Sequence, residues 1–533
     1  MNLLQIENNF TATSDGKCVQ AGGGMVSAGF PQAAKAGALM LQKGGNAVDA
    51  AVAAALCLCV CEPQASGLGG HSMALIHLNQ RSFFLDGTGR VPAIAHLDKF
   101  ADEDEKYGYR ATSVPTTPAV LGHMVRKYGT LPWREIVAPA QVVAADGYRI
   151  TDLQHRLQVR ELPNFAKVHS RSGARYFLKD GLRPFEVGEL FRQPELAALL
   201  ETLMDQGPEA FYTGEVARKI DKDMQTHGGF LRAEDLANIP WPVERPALFA
   251  RYRDLDLISA PPPAAGRNLF ILLRLLEIKP SEYWNRENPL AVWEMARAIR
   301  QVLQERRANP MDPDQYDSNN DAALNDLVFS KRVSDYEYST GDFGGETTHL
   351  STIDAMGNAV GLTQSVNLVY ASKVAAQDLG FLYNNYLLDC NTTDPRHPYY
   401  LRSGGRPASF VAPVMAMRKK RLWLVAGSPG SERIISSVAQ FLSCIVDGSL
   451  PICEAMSRPR LHYSPEGLLS IESGRFDPRI VNYLKEKAVD ISHRRDYSFY
   501  LGAIHAVLRC ITKDEFQGTA EIRRDGIAEG ILL

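Results

Sequence analysis

An α+β fold is predicted by three features of this sequence. Strand-like runs of alternating apolar and polar residues lie towards both ends. A long middle carries apolar residues at helical spacing. The composition is that of an ordinary globular chain, with 45% hydrophobic and 22% charged residues. At 533 residues the chain is long enough to bury a large core. Its 58 Lys+Arg and 61 Asp+Glu nearly cancel, leaving −3, so neither a nucleic-acid surface nor an acidic tail is expected.

Residues 25–42 read as a strand followed by a helix, and Gly44-Gly45-Asn46 breaks it. Residues 47–61 are Ala-rich and apolar all round, the pattern of a buried helix. Gly67-Leu68-Gly69-Gly70 predicts a tight loop, after which 72–77 and 82–86 read as a strand pair. From about 118 to 303 the pattern is mainly helical, giving a mostly helical middle region punctuated by Gly228-Gly229 and by the Pro261-Pro262-Pro263 run. Residues 309–325 are rich in Asp, Asn and Pro and predict an exposed connector that continues to Gly345. Residues 348–354 and 359–365 alternate and meet through Met356-Gly357-Asn358, a hairpin signature. Further short strands are expected near 410–417, 422–426 and 518–523.

The first ten residues lack a basic region followed by an apolar stretch, so no secretory signal is expected. The most apolar run, 50–61, is too short to span a bilayer. Among the eight cysteines, Cys57, Cys59 and Cys61 fall within that run, where a helix points Cys59 away from the other two. No nearby His or Cys completes a zinc-like set, so neither metal nor cofactor is expected. The cysteines read as buried, reduced thiols, and the expected location is cytoplasmic.

The chemistry centres on Glu346-Thr347-Thr348-His349. Taken alone, this is the edge of a Thr-rich strand. A Thr hydroxyl is a weak nucleophile without a base beside it. Its own α-amino group, titrating near ~7.7–8.0, would serve once the Glu346–Thr347 bond is cut.

The blocks around it carry a resemblance. Gly44-Gly45-Asn46-Ala47-Val48-Asp49, Glu62-Pro63-Gln64-Ala65-Ser66-Gly67-Leu68-Gly69-Gly70, Thr347-Thr348-His349 and Gly427-Ser428-Pro429-Gly430-Ser431 occur in the order found in the gamma-glutamyltranspeptidase family. The chain is similar to that family from about residue 24 to its C-terminal region. The resemblance implies an N-terminal-nucleophile hydrolase with a four-layer αββα sandwich. It implies cleavage at Glu346–Thr347 into a large subunit 1–346 and a small subunit 347–533, which together form one αββα unit. Thr347 would be the nucleophile, Ser365 its supporting hydroxyl, and Gly430-Ser431 the oxyanion turn. Asn367 and Asp389 would hold the donor's α-amino group, since an ammonium offers only donors.

The departures from the family pattern lie in the donor pocket. The carboxylate-binding Arg becomes Thr88, with Arg90 two positions later as a substitute; the Ser-Ser pair becomes Ser409-Phe410, and a Gln becomes Tyr386. Losing a charged hydrogen-bond partner costs about 1.5–3 kcal/mol, enough to change donor preference. Only twenty positions separate Asp389 from Ser409, which predicts an open pocket or one closed by Tyr399, Tyr400 and Arg402. His71 replaces a small residue and is a weak candidate base.

The expected activity is a self-processing amide hydrolase or acyltransferase, taking a small amide and passing its acyl group to water or an amine. The alternatives are an amidohydrolase for a non-glutamyl acyl amide, like the family's oxamate or cephalosporin acylase branches, and an uncleaved, non-catalytic homologue. A homodimer of the processed pair is allowed; nucleic-acid and membrane partners are not expected. Gly67-Leu68-Gly69-Gly70 lacks the third spaced Gly of a dinucleotide site, and no GxSxG element marks a serine hydrolase.

Overall fold

The alternating runs form two seven-stranded sheets packed face to face. A computed structural model describes residues 6–7, 10–99, 106–284, 287–327, 345–487 and 489–531. In spatial order, the first sheet is Ile527–Ile531, Gly24–Ala28, Gly345–Asp354, Ala359–Leu368, His71–Leu78, Arg81–Asp86 and Val243–Pro246. The second is Cys18–Ala21, Glu515–Ala520, His505–Cys510, Arg421–Gly427, Val414–Arg418, Leu255–Ser259 and Leu248–Tyr252. Each sheet takes strands from both sides of the Glu346–Thr347 bond.

Period-two alternation builds the layers. Met25, Met73, Leu75 and Phe84 of the first sheet meet Ile258, Met415, Val425 and Val507 of the second in a shared inner core. Their neighbours Val26, Ala74 and Ile76 face outwards, onto a helical layer that includes Pro31–Gln42 and Ala47–Cys61. On the far side Leu257, Val414 and Leu424 pack against the helices Gly266–Glu277, Pro289–Ala308 and Arg433–Val446. The architecture is therefore a four-layer αββα sandwich.

The helix Ala47–Cys61 is buried along its whole length, as its composition predicts. Asn46 starts it with a capping box: the side chain accepts from the Val48 and Asp49 N–H groups, and the Asp49 carboxylate accepts from the Asn46 N–H. Among the described residues, no helix is long and apolar enough to cross a membrane.

The structure departs from the sequence reading in three places. The helical middle is interrupted at Val243–Pro246, Leu248–Tyr252 and Leu255–Ser259, which complete the edges of both sheets. Edge strands carry charges, and Glu244, Arg245, Arg251 and Asp256 blur the alternation there. His505–Cys510 and Ile527–Ile531 are further strands that the sequence reading missed. In the expected connector, 328–344 lie outside the described residues. The part before them is not simply exposed, because buried Asp321 pairs with Arg267 and caps the short helix Ala322–Asp326.

The cysteine expectation is corrected in part. Cys57, Cys59, Cys61, Cys390, Cys444 and Cys510 are buried free thiols, but Cys18 and Cys453 form a disulfide with their Cα atoms 6.1 Å apart. The fold lays the first strand against the helix Ile452–Ser457, a proximity between residues 435 positions apart that no spacing rule reveals. The disulfide removes one of the supports for a cytoplasmic location.

Candidate active site

Gly345–Asp354 pairs antiparallel with Ala359–Leu368, and the register shifts between Glu346 and Thr348. Such an irregularity re-aims side chains. Here it brings Thr347 Oγ1 to 3.2 Å from Ser365 Oγ, while Asn367 takes a positive φ of 82°. The Ser365 hydroxyl donates to the Glu346 carbonyl oxygen at 2.8 Å and accepts from the Asn367 N–H at 2.9 Å. It also accepts from Thr347, so its one donor and two acceptor positions are all used. The arrangement fixes one hydroxyl beside a peptide bond and polarises that bond's carbonyl with another.

Arg421–Gly427 leads into a turn at Gly430-Ser431, just ahead of the helix Arg433–Val446. Both turn residues have positive φ, 126° and 53°, the first in a region that a side chain makes costly. Successive amides in such a turn form an anion-binding concavity, strengthened by the positive end of the helix. Among the described residues neither amide has a hydrogen-bond acceptor. Gly345 lets this turn approach, because a Cβ there would lie 2.8 Å from Ser431 Cβ.

Gly345 and Asn367, which flank the first feature, and Ser431 of the turn line a cavity of about 430 Å³ together with Asp389, Phe410 and Tyr399. Burial pushes the Asp389 carboxyl up to about 7, against the opposing effects of the Asn367 hydrogen bond and the Arg306 charge. The Tyr386 ring stacks on His71 with centroids 4.0 Å apart. His71 Nε2 is bound to the Ser113 hydroxyl at 2.8 Å, and burial pushes the imidazole down to about 3. It is therefore neutral and already engaged, which disfavours a role as base. Ser409 turns its carbonyl to Arg306 and its hydroxyl to the Val411 N–H.

Thr88 and Arg90 fall elsewhere. They line a separate depression with Asp86 and Arg406, where the Thr88 hydroxyl donates to Asp86 at 2.6 Å. Arg306 and Asn268 line the main cavity, together with Arg267, Arg307 and Arg433; the sequence reading named neither of the first two. It also missed Arg524, which pairs with the buried Glu346 side chain and donates to the Thr347 carbonyl at 3.4 Å. The only signals for these groups were an Arg-Arg pair in a helix, the residues after the Pro run and an Arg-Arg pair near the C-terminus, none with a distinctive spacing.

The gamma-glutamyltranspeptidase family profile matches residues 33–531. The glutathione hydrolase proenzyme of Escherichia coli strain K12 is 32% identical over 512 residues, covering 89% of this chain and 87% of its own. The Acylase ACY 1 proenzyme of Pseudomonas sp. strain V22 is 29% identical, covering 84% of each. The solved cephalosporin acylase of Bacillus halodurans superposes with a TM-score of 0.87 over 98% of both chains at 23% identity, a likeness of fold alone. With the αββα layers and this site in place, the chain is an enzyme and belongs to the gamma-glutamyltranspeptidase family.

Proposed function

We propose that this protein cuts its own Glu346–Thr347 bond and then uses Thr347 to transfer the acyl group of a small amide to water or an amine. The observation that carries this reading is the chain of contacts from the Thr347 hydroxyl through Ser365 to the Glu346 carbonyl, with the strand neighbours Gly345 and Asn367 lining the cavity. In the precursor, Thr347 Oγ1 attacks the Glu346 carbonyl carbon while Ser365 supports the developing oxyanion. The C–N bond breaks, the amine takes a proton, and an ester links residue 346 to Thr347. Water hydrolyses the ester and frees the new amino terminus. In turnover that amine takes the Thr347 hydroxyl proton and returns it to the leaving amine. The Gly430 and Ser431 amides stabilise the tetrahedral oxyanion, and Asn367 and Asp389 hold the donor's amino group.

Residues 1–346 and 347–533 are then two subunits of one sandwich, joined by Cys18–Cys453. On a denaturing gel of thiol-blocked protein, two bands are expected with reductant and one near 58.8 kDa without it. A single band with reductant overturns the self-cleavage.

The pH response follows from Asp389. Its carboxyl must be ionised to hold an ammonium, and with its pKa near 7 that form grows as pH rises from 6 to 8. The Thr347 amine titrates in a neighbouring range for every donor, so the comparison between donors isolates Asp389. The ratio of kcat/KM for γ-glutamyl p-nitroanilide to that for glutaryl p-nitroanilide, which lacks the amine, is expected to rise about tenfold over that interval. A flat ratio removes Asp389 from amine recognition.

A further inference from the structure

We infer that Glu62 holds and deprotonates the water that opens the ester formed in self-cleavage, with Arg524 as the cation it shares with Glu346. This deepens the preceding reading and rests on cleavage of the Glu346–Thr347 bond.

Glu62 caps the C-terminal end of the buried helix Ala47–Cys61. Its N–H donates to the Leu58 carbonyl, and its carbonyl accepts from the Ala65 and Ser66 N–H groups, each at 2.9 Å. The main chain is thus tied on both sides, and the residue is 1% exposed. Yet among the described residues its Oε2 has no hydrogen-bond partner. Arg524 is withdrawn in the same way. Its Nη1 is spent on the Glu346 carboxylate and the Thr347 carbonyl, while its buried Nε has no acceptor among the described residues. Gly29 keeps space open beside the acid. A Cβ there would lie 2.4 Å from Glu62 Oε2 and 2.7 Å from Thr348 Oγ1. Thr348 directly follows the nucleophile, so this space adjoins the strand segment that is cut.

Buried polar atoms rarely stay unpaired, and an enclosed water takes about three partners. Glu62 offers an acceptor, Arg524 Nε a donor, and the Thr348 hydroxyl either. The ester also needs a base. After the N-to-O shift the Thr347 amine, titrating near ~7.7–8.0, is largely protonated at neutral pH and serves poorly. Burial pushes the Glu62 carboxyl up to about 7, against the Arg524 charge and the Thr348 hydroxyl, which suits a base working near neutrality. The water oxygen bonds to the Glu346 carbonyl carbon as its proton passes to Glu62. The bond from that carbon to Thr347 Oγ1 then breaks, and Glu62 returns the proton to Oγ1. One water is consumed, giving the Glu346 carboxyl terminus and a free Thr347 hydroxyl.

The test follows freshly made precursor on denaturing gels with reductant, with and without neutral hydroxylamine. Hydroxylamine attacks an ester without help from a base. It leaves a hydroxamate on residue 346, which mass spectrometry of the large chain distinguishes from the acid. Glu62→Gln is expected to slow self-cleavage about a hundredfold or more. Hydroxylamine is expected to restore the split and to leave the hydroxamate, because the ester still forms. Cleavage of Glu62→Gln at the unsubstituted rate overturns the inference. So does slow cleavage that hydroxylamine does not change, since the block then precedes the ester.

Circular dichroism reports that each variant folds. If Glu62→Gln does not fold, Glu62→Asp decides. It draws the carboxylate back by one methylene and is expected to slow the split about tenfold, again recovered by hydroxylamine. An unsubstituted rate in that variant overturns the inference. If the unsubstituted protein splits and the variants split equally fast, self-cleavage stands and the role of Glu62 falls. If the unsubstituted protein never splits, both fall.

Discussion

Thr347→Ala is expected to yield one uncleaved chain whose turnover of any amide donor falls at least about a thousandfold. On the proposed mechanism, the substitution deletes the nucleophile in both reactions. It also leaves the amine unborn, because the Glu346–Thr347 bond stays closed. Ser365 still donates to the Glu346 carbonyl, so the bond remains polarised with nothing to attack it. Thr347→Ser keeps a hydroxyl at the same position and should process, more slowly, since the less restricted side chain spends less time beside Ser365. Mass spectrometry of the reduced protein separates the cases. Cleavage at 346/347 in Thr347→Ala would assign the nucleophile to another residue.

How much of this was legible in the sequence depended on how far apart the interacting residues lie. The hairpin that carries Thr347 and Ser365 is local, so alternation and its turn residues revealed it. The same holds for the Asn46-capped helix, whose cap and apolar run adjoin. The shift between Glu346 and Thr348 leaves no such mark, yet it brings the two hydroxyls together. Arg306 and Asn268 are 38 positions apart on two helices whose packing alone makes them neighbours. Thr88 and Arg90 show the converse. Their spacing suggested a rebuilt carboxylate site, but Asp86 holds Thr88 in a different depression. Spacing could place Thr347 and Ser365, which share one hairpin. The walls of the pocket come from both sheets and from the helices outside them, and only the assembled fold brings those together.

Arg524 is a residue whose loss should cost the precursor much of its stability. Arg524 is buried, pairs with the buried Glu346 side chain and donates to the Thr347 carbonyl, so it anchors both sides of the Glu346–Thr347 bond. Glu62 stands nearby, its carboxyl pushed up to about 7 by burial against the opposing Arg524 charge. Arg524→Ala therefore leaves two buried acids without their common cation. Removing one partner of a buried pair costs about 3–5 kcal/mol, which urea denaturation in the Thr347→Ala background can read on a chain that stays whole. Glu346→Ala should cost less, because Arg524 keeps the nearby charge of Glu62 and the Thr347 carbonyl. The double substitution should then fall short of the sum of the two, the signature of a direct interaction. Arg524→Lys keeps the charge and loses the fork, so an intermediate loss is expected. If Arg524→Ala leaves the denaturation midpoint unchanged, the pair does not hold the Glu346–Thr347 bond in place. Positioning of that bond would then fall to Ser365 and the strand pairing alone.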